Sequence, residues 1–360
     1  MTEPCGVGLH QVLASASPGD AITDLALGTR DLLRRVGPSE IYARHVAPAL
    51  ADEVLALERY RPPHARNLLI VHASIGQSEV HEFLTYRREP LVLVYHNVTP
   101  GRYFEPYDTV FADLLEVGRR EVERLLPRVV LAIADSRYNA RDLEAMGYRD
   151  VRVVPPVMNL RRLTGQTPSD ATLRHLETVP GPILLSVGQL LPHKRPDFLV
   201  EMMHVAGTYL GMRGTLMLVG HQRLERYARA IKEQILELNL SNVHLVGPVG
   251  EAELVALFRS ADAIVTASEH EGFCLPLLEA MAFEKPIIAR ACAAVPETVG
   301  DAAFLLPAEQ GPVLFAEAVA ETLSNESVRR QLVAAGRRRI DELERRPPNL
   351  SFVESLLEVV

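Results

Sequence analysis

Two glutamates, Glu271 and Glu279, stand with seven residues between them in Ser268-Glu269-His270-Glu271-Gly272-Phe273-Cys274-Leu275-Pro276-Leu277-Leu278-Glu279-Ala280-Met281-Ala282. Just upstream, Ala261-Asp262-Ala263-Ile264-Val265-Thr266-Ala267 is short, apolar and β-branched, the pattern of a buried strand. Downstream, Pro276 suits the first helical position, where a missing N–H costs nothing and φ is already helical. A strand–turn–helix of this kind leaves the N–H groups of 272–275 without helical partners, aimed outward as an anion site requires. Glu279 is expected in the first helical turn and Glu271 just outside it. One carboxylate can then accept from ribose hydroxyls and the other from sugar hydroxyls, with a pyrophosphate held by the N–H groups between them. Taken singly, each has a plainer explanation. A first-turn glutamate gains about 0.3–1 kcal/mol from the helix dipole alone, and Glu271 reads as a solvated loop carboxylate. The ordered frame gives the pair its meaning, and Lys285-Pro286-Ile287-Ile288-Ala289 closes that frame as a second buried strand.

A second chemistry-bearing stretch is Gly181-Pro182-Ile183-Leu184-Leu185-Ser186-Val187-Gly188-Gln189-Leu190-Leu191-Pro192-His193-Lys194-Arg195-Pro196-Asp197. A strand runs into Gly188, whose missing side chain lets the backbone approach a ligand. Lys194 follows in the loop to the next helix. It is one of only three lysines, with Lys232 and Lys285, in a chain whose other cations are arginines. In the first half, Leu91–Tyr95 is an apolar strand ending in His96, and Leu68–Val71 runs into His72. Strand carboxyl ends are where α/β proteins place their ligands. A lone histidine there is more often a hydrogen-bonded core residue; two at neighbouring strand ends are harder to dismiss.

The elements that must position these groups alternate strand and helix throughout, the signature of α/β folds with parallel sheets. Strands are expected at Gln11–Ala14, Leu68–His72, Leu91–Tyr95, Val129–Ala134 and Val151–Val154. In the second half they fall at Ile183–Val187, Thr215–Val219, Val243–Val246, Ala263–Thr266, Pro286–Ala289 and Ala303–Leu306. A helix over Ala21–Val36 follows Ser17-Pro18-Gly19-Asp20, with Asp20 as its N-cap. At 360 residues the chain is long for one core, so two domains are the natural division. They meet near Val154-Pro155-Pro156-Val157-Met158-Asn159, where paired prolines stiffen a crossover. The expected domains are 1–156 and 157–345, with 346–360 as a final helix after the break at Arg345-Arg346-Pro347-Pro348-Asn349.

Composition narrows the function further. Apolar residues make up 48% and charged residues 23%, as in an ordinary globular protein. A net charge of −8 argues against general nucleic-acid binding. No run of about eighteen apolar residues is present to span a bilayer. The N-terminus lacks the basic and apolar regions of a signal peptide. Cys5, Cys274 and Cys292 make neither a zinc pattern nor a disulfide framework, and a reducing cytoplasm is the expected setting. Neither a dinucleotide nor a P-loop glycine pattern occurs, and no Asp-x-Asp pair offers itself to a metal. Arg119, Arg120 and Arg124 form a basic helical stripe read as a solvated face.

The frame around Glu271 and Glu279, with the strand–Gly188–Lys194 segment, resembles the donor-binding signature of retaining glycosyltransferases of the GT-B fold, family 4. The resemblance is dense from about Gly181 to Leu306 and looser before that. It implies two Rossmann-like domains with parallel sheets facing across a cleft, the first binding the acceptor and the second a nucleotide diphosphate sugar. The final helix of such enzymes commonly crosses back to the N-terminal domain; a cap on the C-terminal domain is the competing expectation.

The implied reaction transfers a sugar to an acceptor hydroxyl on a glycan, glycolipid or small-molecule glycoside, with the anomeric configuration retained and no metal or other cofactor. The resemblance assigns His96, Glu271 and Lys194 to catalysis. Donor contacts fall to Gly188, Gln189, Lys194, Gly220, Val249, Gly272, Phe273, Cys274, Leu275 and Glu279. His72 is a weaker candidate near the transferred sugar, and Gly19 and Asp20 lie where the family's N-terminal loop approaches the reaction centre. Two departures stand out. Gln189 occupies the position where the family usually carries an arginine facing the diphosphate, a gap Arg195 is poorly placed to fill. Cys274 occupies a common glycine position. A non-catalytic GT-B binding module and a sugar-nucleotide epimerase are the competing functions; a phosphorylase is disfavoured by the modest length. The base, the donor sugar, the acceptor, the oligomeric state and any contact with a membrane surface stay open.

Overall fold

A computed structural model describes residues 6–61, 64, 66–156, 160–345 and 347–360. Cys5, the crossover residues Val157, Met158 and Asn159, and Arg346 at the last expected boundary lie outside the described residues. The chain divides into two compact units, one formed by residues up to 158 together with 346–360, the other by 159–345.

The first unit carries strands β1 (Val7–Ala16), β2 (Ile41–Val46), β3 (Leu55–Ala56), β4 (Arg66–Ala73), β5 (Leu91–Tyr95), β6 (Val129–Ala134) and β7 (Val151–Val153). They form one sheet in the order β3-β2-β1-β4-β5-β6-β7, and every pairing is parallel. Both faces are covered, so the strands read as continuous apolar runs. On β4, Leu68 and Ile70 pack on one side with Val7, Leu9, Val92 and Leu131, while Leu69 and Val71 pack on the other with Val12, Tyr42 and Leu84. The strands β2 and β3 escape the sequence reading, since β2 keeps only Ile41, Tyr42 and Ala43 buried and β3 is two residues long.

Helix Ala21–Leu33 is capped by Asp20, which accepts from the Thr23 N–H at 3.0 Å. It ends three residues before the expected Val36. The last helix, Pro348–Leu357, belongs to this unit and drives Phe352 and Leu356 into the same core as Val7 and Leu9. Burying two such side chains contributes roughly 1.5–3 kcal/mol each.

The second unit carries β8 (Ile183–Val187), β9 (Thr215–Val219), β10 (Val243–Gly247), β11 (Ala263–Thr266), β12 (Ile287–Ala291) and β13 (Ala303–Pro307). Their order is β10-β9-β8-β11-β12-β13, again parallel throughout. In each unit the order reverses at the first strand: between β1 and β4, and between β8 and β11. Loops leaving the two central strands part at that point, and an open crevice forms beyond their carboxyl ends.

Candidate active site

In the second unit, the strand-order reversal separates the loop after β8, which carries Lys194, from the loop after β11, which carries Glu271. The Lys194 ammonium lies 2.7 Å from Glu271 Oε1. Ser268 Oγ donates to the same oxygen at 2.7 Å, and Thr266 Oγ1 lies 3.1 Å from Ser268 Oγ. Glu271 is therefore buried and bonded, not the solvated loop carboxylate of the plainer reading. Burial disfavours the Lys194 ammonium, but Glu271 and Cys274 beside it more than offset that and hold its pKa above the ordinary lysine value. The site keeps a cation.

Glycines let the backbone close around this lysine. Gly188 has φ +153° and Gly220 φ +146°, conformations that side chains rarely adopt. A Cβ on Gly220 would sit 2.0 Å from the Gly188 carbonyl oxygen, and one on Gly188 would meet the Lys194 stem from 3.5 Å. The ends of β8 and β9 are pinned by Gly188 N–H to Val219 O at 2.8 Å and Leu190 N–H to His221 O at 2.9 Å. A small cavity borders Gly188, Gln189, Lys194, Thr266 and Ser268.

The helix after β11 spans Leu275–Ala282. It starts one residue earlier than expected, so Pro276 is its second residue and Glu279 its fifth, at the start of the second turn. The expectation that Glu279 lies in the first turn is thereby corrected: the reversal needed to enter the helix is completed at Cys274, not Leu275. Cys274 takes the left-handed conformation, φ +72°, which explains why the resembling family favours glycine there. Its thiol is buried, and burial above all pushes its pKa well above the ordinary value. Among the described residues, none accepts from the backbone N–H groups of Phe273, Cys274 and Leu275. Phe273 is buried, whereas Gly272 and Leu275 are partly open. Val249 is half-buried just beyond the left-handed Gly247 at the end of β10.

Arg195 does not replace the cation missing at Gln189. Its guanidinium is engaged by Asp197 at 2.9 Å and by Glu269. Buried Arg290 on β12 shares Glu269 at 3.2 Å and lies 4.4 Å above the Phe198 ring. This cluster shapes the loop from below, and the sequence reading passed over Arg290, Ser268 and Thr266. Arginine within an otherwise apolar strand was the available signal for the first.

In the first unit, His72 and His96 join one hydrogen-bonded chain. Gln11 Nε2 donates to Ala26 O at 2.9 Å, and Gln11 Oε1 lies 2.9 Å from His72 Nε2. His72 Nδ1 lies 2.8 Å from His96 Nε2, and His96 Nδ1 lies 2.8 Å from Asp135 Oδ2. Both ring nitrogens of His96 are thus committed to protein partners. Burial first, and the neighbouring His96 second, push the His72 pKa well below the ordinary histidine value. Gln11 and Asp135 were missed by the sequence reading, although a carboxylate directly after the apolar β6 is a signal of the same kind as His96 after β5.

Gly19 and Asp20 serve the start of the first helix, where the Asp20 carboxylate also accepts from Thr23 Oγ1 at 2.9 Å. Arg119 departs from the expected solvated stripe: it grips Asp142 in a two-point pair at 2.8 and 3.0 Å, and Tyr95 donates to that carboxylate. Arg120 and Arg124 are exposed as expected.

Residues 174–339 match the model of the family described as glycosyl transferases group 1. Over these residues the second unit is similar to group 1 glycosyltransferases. A D-inositol 3-phosphate glycosyltransferase of Frankia alni is 30% identical over 229 residues, covering 61% of this chain and 55% of the relative. One from Xylanimonas cellulosilytica is 26% identical over 352 residues, covering 90% of this chain and 80% of the relative. The chain thus spans about half the length of several curated relatives it matches. Among solved structures, Anabaena HepE in complex with UDP-glucose superimposes with a TM-score of 0.77 at 17% identity, over 98% of this chain and 99% of that one. That likeness establishes the fold as GT-B. No described helix of this chain is long and apolar enough to cross a membrane.

Proposed function

We propose that this glycosyltransferase moves a sugar from a nucleotide diphosphate sugar to an acceptor hydroxyl, retaining the anomeric configuration and using no metal. The observation that carries the reading is the Lys194–Glu271 pair, 2.7 Å apart at the strand-order reversal of the second unit. The N–H groups of Phe273, Cys274 and Leu275, from which none of the described residues accepts, head the adjoining helix.

The leaving diphosphate carries the charge away from the sugar and must be neutralised. Lys194 supplies a full positive charge, and the helix N-terminus supplies oriented N–H donors with the positive end of the helix dipole. Fixed donors of this kind need no reorganisation as charge develops. Glu271, held by Lys194 and Ser268, faces the donor sugar and the reaction centre. Glu279, half-buried in the second helical turn, takes the ribose hydroxyls. Gly188 and Gly220 let the diphosphate approach backbone atoms. Gln189, lacking charge, leaves Lys194 as the principal side-chain cation for the diphosphate. No enzymic nucleophile is required if the leaving phosphate receives the acceptor proton on the same face.

A UDP sugar is the first donor to test, given the UDP-glucose named for HepE. A phosphorylated cyclitol is the first acceptor, given the D-inositol 3-phosphate named for several relatives. The decisive experiment follows nucleotide release from UDP-, GDP-, ADP- and dTDP-sugars with such acceptors, with and without EDTA, and assigns the product anomer by NMR. Expected are EDTA-insensitive release and an unchanged anomeric configuration. Tight nucleotide binding with no turnover on any pair would instead identify a binding module. Interconversion of the sugar nucleotide without acceptor would identify an epimerase.

A further inference from the structure

We infer that His96 carries a hydrogen on both ring nitrogens, fixed there by His72 and Asp135, and serves sugar transfer as a stationary positive group rather than as a proton acceptor. The second half of this inference rests on the transfer reaction proposed above; the first half stands on the hydrogen-bond chain alone.

Each link of the chain needs one donor. The chain begins at the Ala26 carbonyl oxygen and ends at the Asp135 carboxylate, both acceptors. Gln11 must turn its NH₂ to Ala26, so its oxygen faces His72, and His72 must donate from Nε2. His72, buried and neutral, then has a bare Nδ1, which takes a hydrogen from His96 Nε2. His96 Nδ1 faces a carboxylate oxygen and must donate as well. Reversing His72 does not escape the count, because Gln11 would then set its oxygen against the Ala26 oxygen at 2.9 Å. The chain therefore holds one proton more than two neutral imidazoles and a carboxylate. Imidazole is the stronger base in water, which places that proton on His96.

Burial makes this arrangement firm. The His96 and Asp135 side chains are each only 7% exposed, and the two imidazole planes lie within 9° of parallel. A bare nitrogen aimed at a carboxylate in such surroundings would cost the full desolvation of both groups. Among the described residues, His72 and Asp135 are the titratable groups bonded to His96. The cavity alongside is otherwise lined by uncharged residues, including Leu25, Thr29, Val94 and Phe352. With both nitrogens committed, His96 cannot take a proton from an acceptor hydroxyl without breaking a link. It can favour negative charge near the carboxyl end of β5, with His72 and Asp135 as positioning residues.

Asp135→Asn is the discriminating substitution. It keeps the shape but turns the acceptor end into a donor end, since the carboxamide can donate to His96 Nδ1. The chain is then satisfied with His96 neutral. Long-range ¹H–¹⁵N spectra of the full chain labelled at histidine, at pH 7.5 without ligand, should show His96 protonated on both nitrogens and His72 on Nε2 only. His96→Gln and His72→Gln supply the assignments. In Asp135→Asn, His96 should lose one hydrogen and kcat should fall about 10²-fold, as for loss of one preorganised charge. KM should change little, and Asp135→Glu should recover part of kcat. A bare nitrogen on His96 in the wild-type spectrum overturns the protonation. Unchanged kcat in Asp135→Asn, with His96 shown neutral, overturns the catalytic role. Failure of the wild-type chain to turn over any donor overturns the transfer reading, while the spectrum still decides the protonation.

Discussion

Lys194 Nζ and Glu271 Oε1 meet at 2.7 Å across 77 residues of sequence. The lysine leaves the loop after β8 and the glutamate the loop after β11, on the two sides of the point where strand order reverses. Each fixes the other: the ammonium is kept charged inside the fold, and the carboxylate is held in place near the head of the Leu275–Ala282 helix.

Removing the lysine is expected to act on chemistry and stability together. Lys194→Ala should lower turnover by roughly 10²–10³-fold, the scale of losing one preorganised donor. It also strands Glu271, and breaking a buried pair on one side costs about 3–5 kcal/mol, an upper value here because the lysine side chain keeps 24% exposure. Thermal melting of Lys194→Ala and of the Lys194→Met/Glu271→Leu double variant separates the two. The double variant should regain stability without regaining turnover. Near-wild-type turnover in Lys194→Ala would remove the lysine from the mechanism.

Backbone approach at the ends of β8 and β9 gives a second prediction. Gly220→Ala places a Cβ 2.0 Å from the Gly188 carbonyl oxygen at φ +146°, strain of about 1–3 kcal/mol or more. The displaced Gly188 loop should weaken UDP binding measured by calorimetry. Gly311→Ala is the control, since an added Cβ there has nothing within 4 Å and should leave both melting and binding unchanged.

Acid should destabilise the fold through its buried histidines. Burial lowers the pKa of His72 and His193 well below the ordinary 6.5. The unfolded chain therefore binds more protons than the folded one once the pH drops below about 6.5. The stability these two rings contribute is complete above that value and lost as pH falls toward the lower folded values. Urea midpoints should decline between pH 6.5 and 5, with a shallower decline in His72→Gln. Midpoints independent of pH down to 5 would contradict the burial of these rings.

The final helix should be indispensable to the first unit. Phe352 is 4% exposed among Val7, Leu9, Leu33 and Ile133, so Phe352→Ala should cost about 3–5 kcal/mol. Leu357→Ala, on the exposed side of the same helix, should cost little. Melting curves of the two variants check the contrast; equal shifts would mean that the helix does not dock as described.

The sequence by itself determined the parallel α/β architecture, because period and apolar runs follow from strands buried on both faces. It fell short where burial is partial, as at β2, and where an element is two residues long, as at β3. It also marked Glu271, Lys194, Gly188 and His96, since each follows an apolar strand and strand ends are legible in one dimension. Tertiary structure alone decided what those groups touch. That Lys194 pairs with Glu271, that Arg195 is spent on Asp197 and Glu269, and that Glu279 belongs to the second helical turn depend on strand order and on a left-handed Cys274. Gln11, His72, His96 and Asp135 lie on β1 and β4 and at the ends of β5 and β6, and only the sheet brings them into one chain. Hydrogen bonding through space carries no signature in sequence spacing, and so the proton that chain holds was visible only once the sheet had formed.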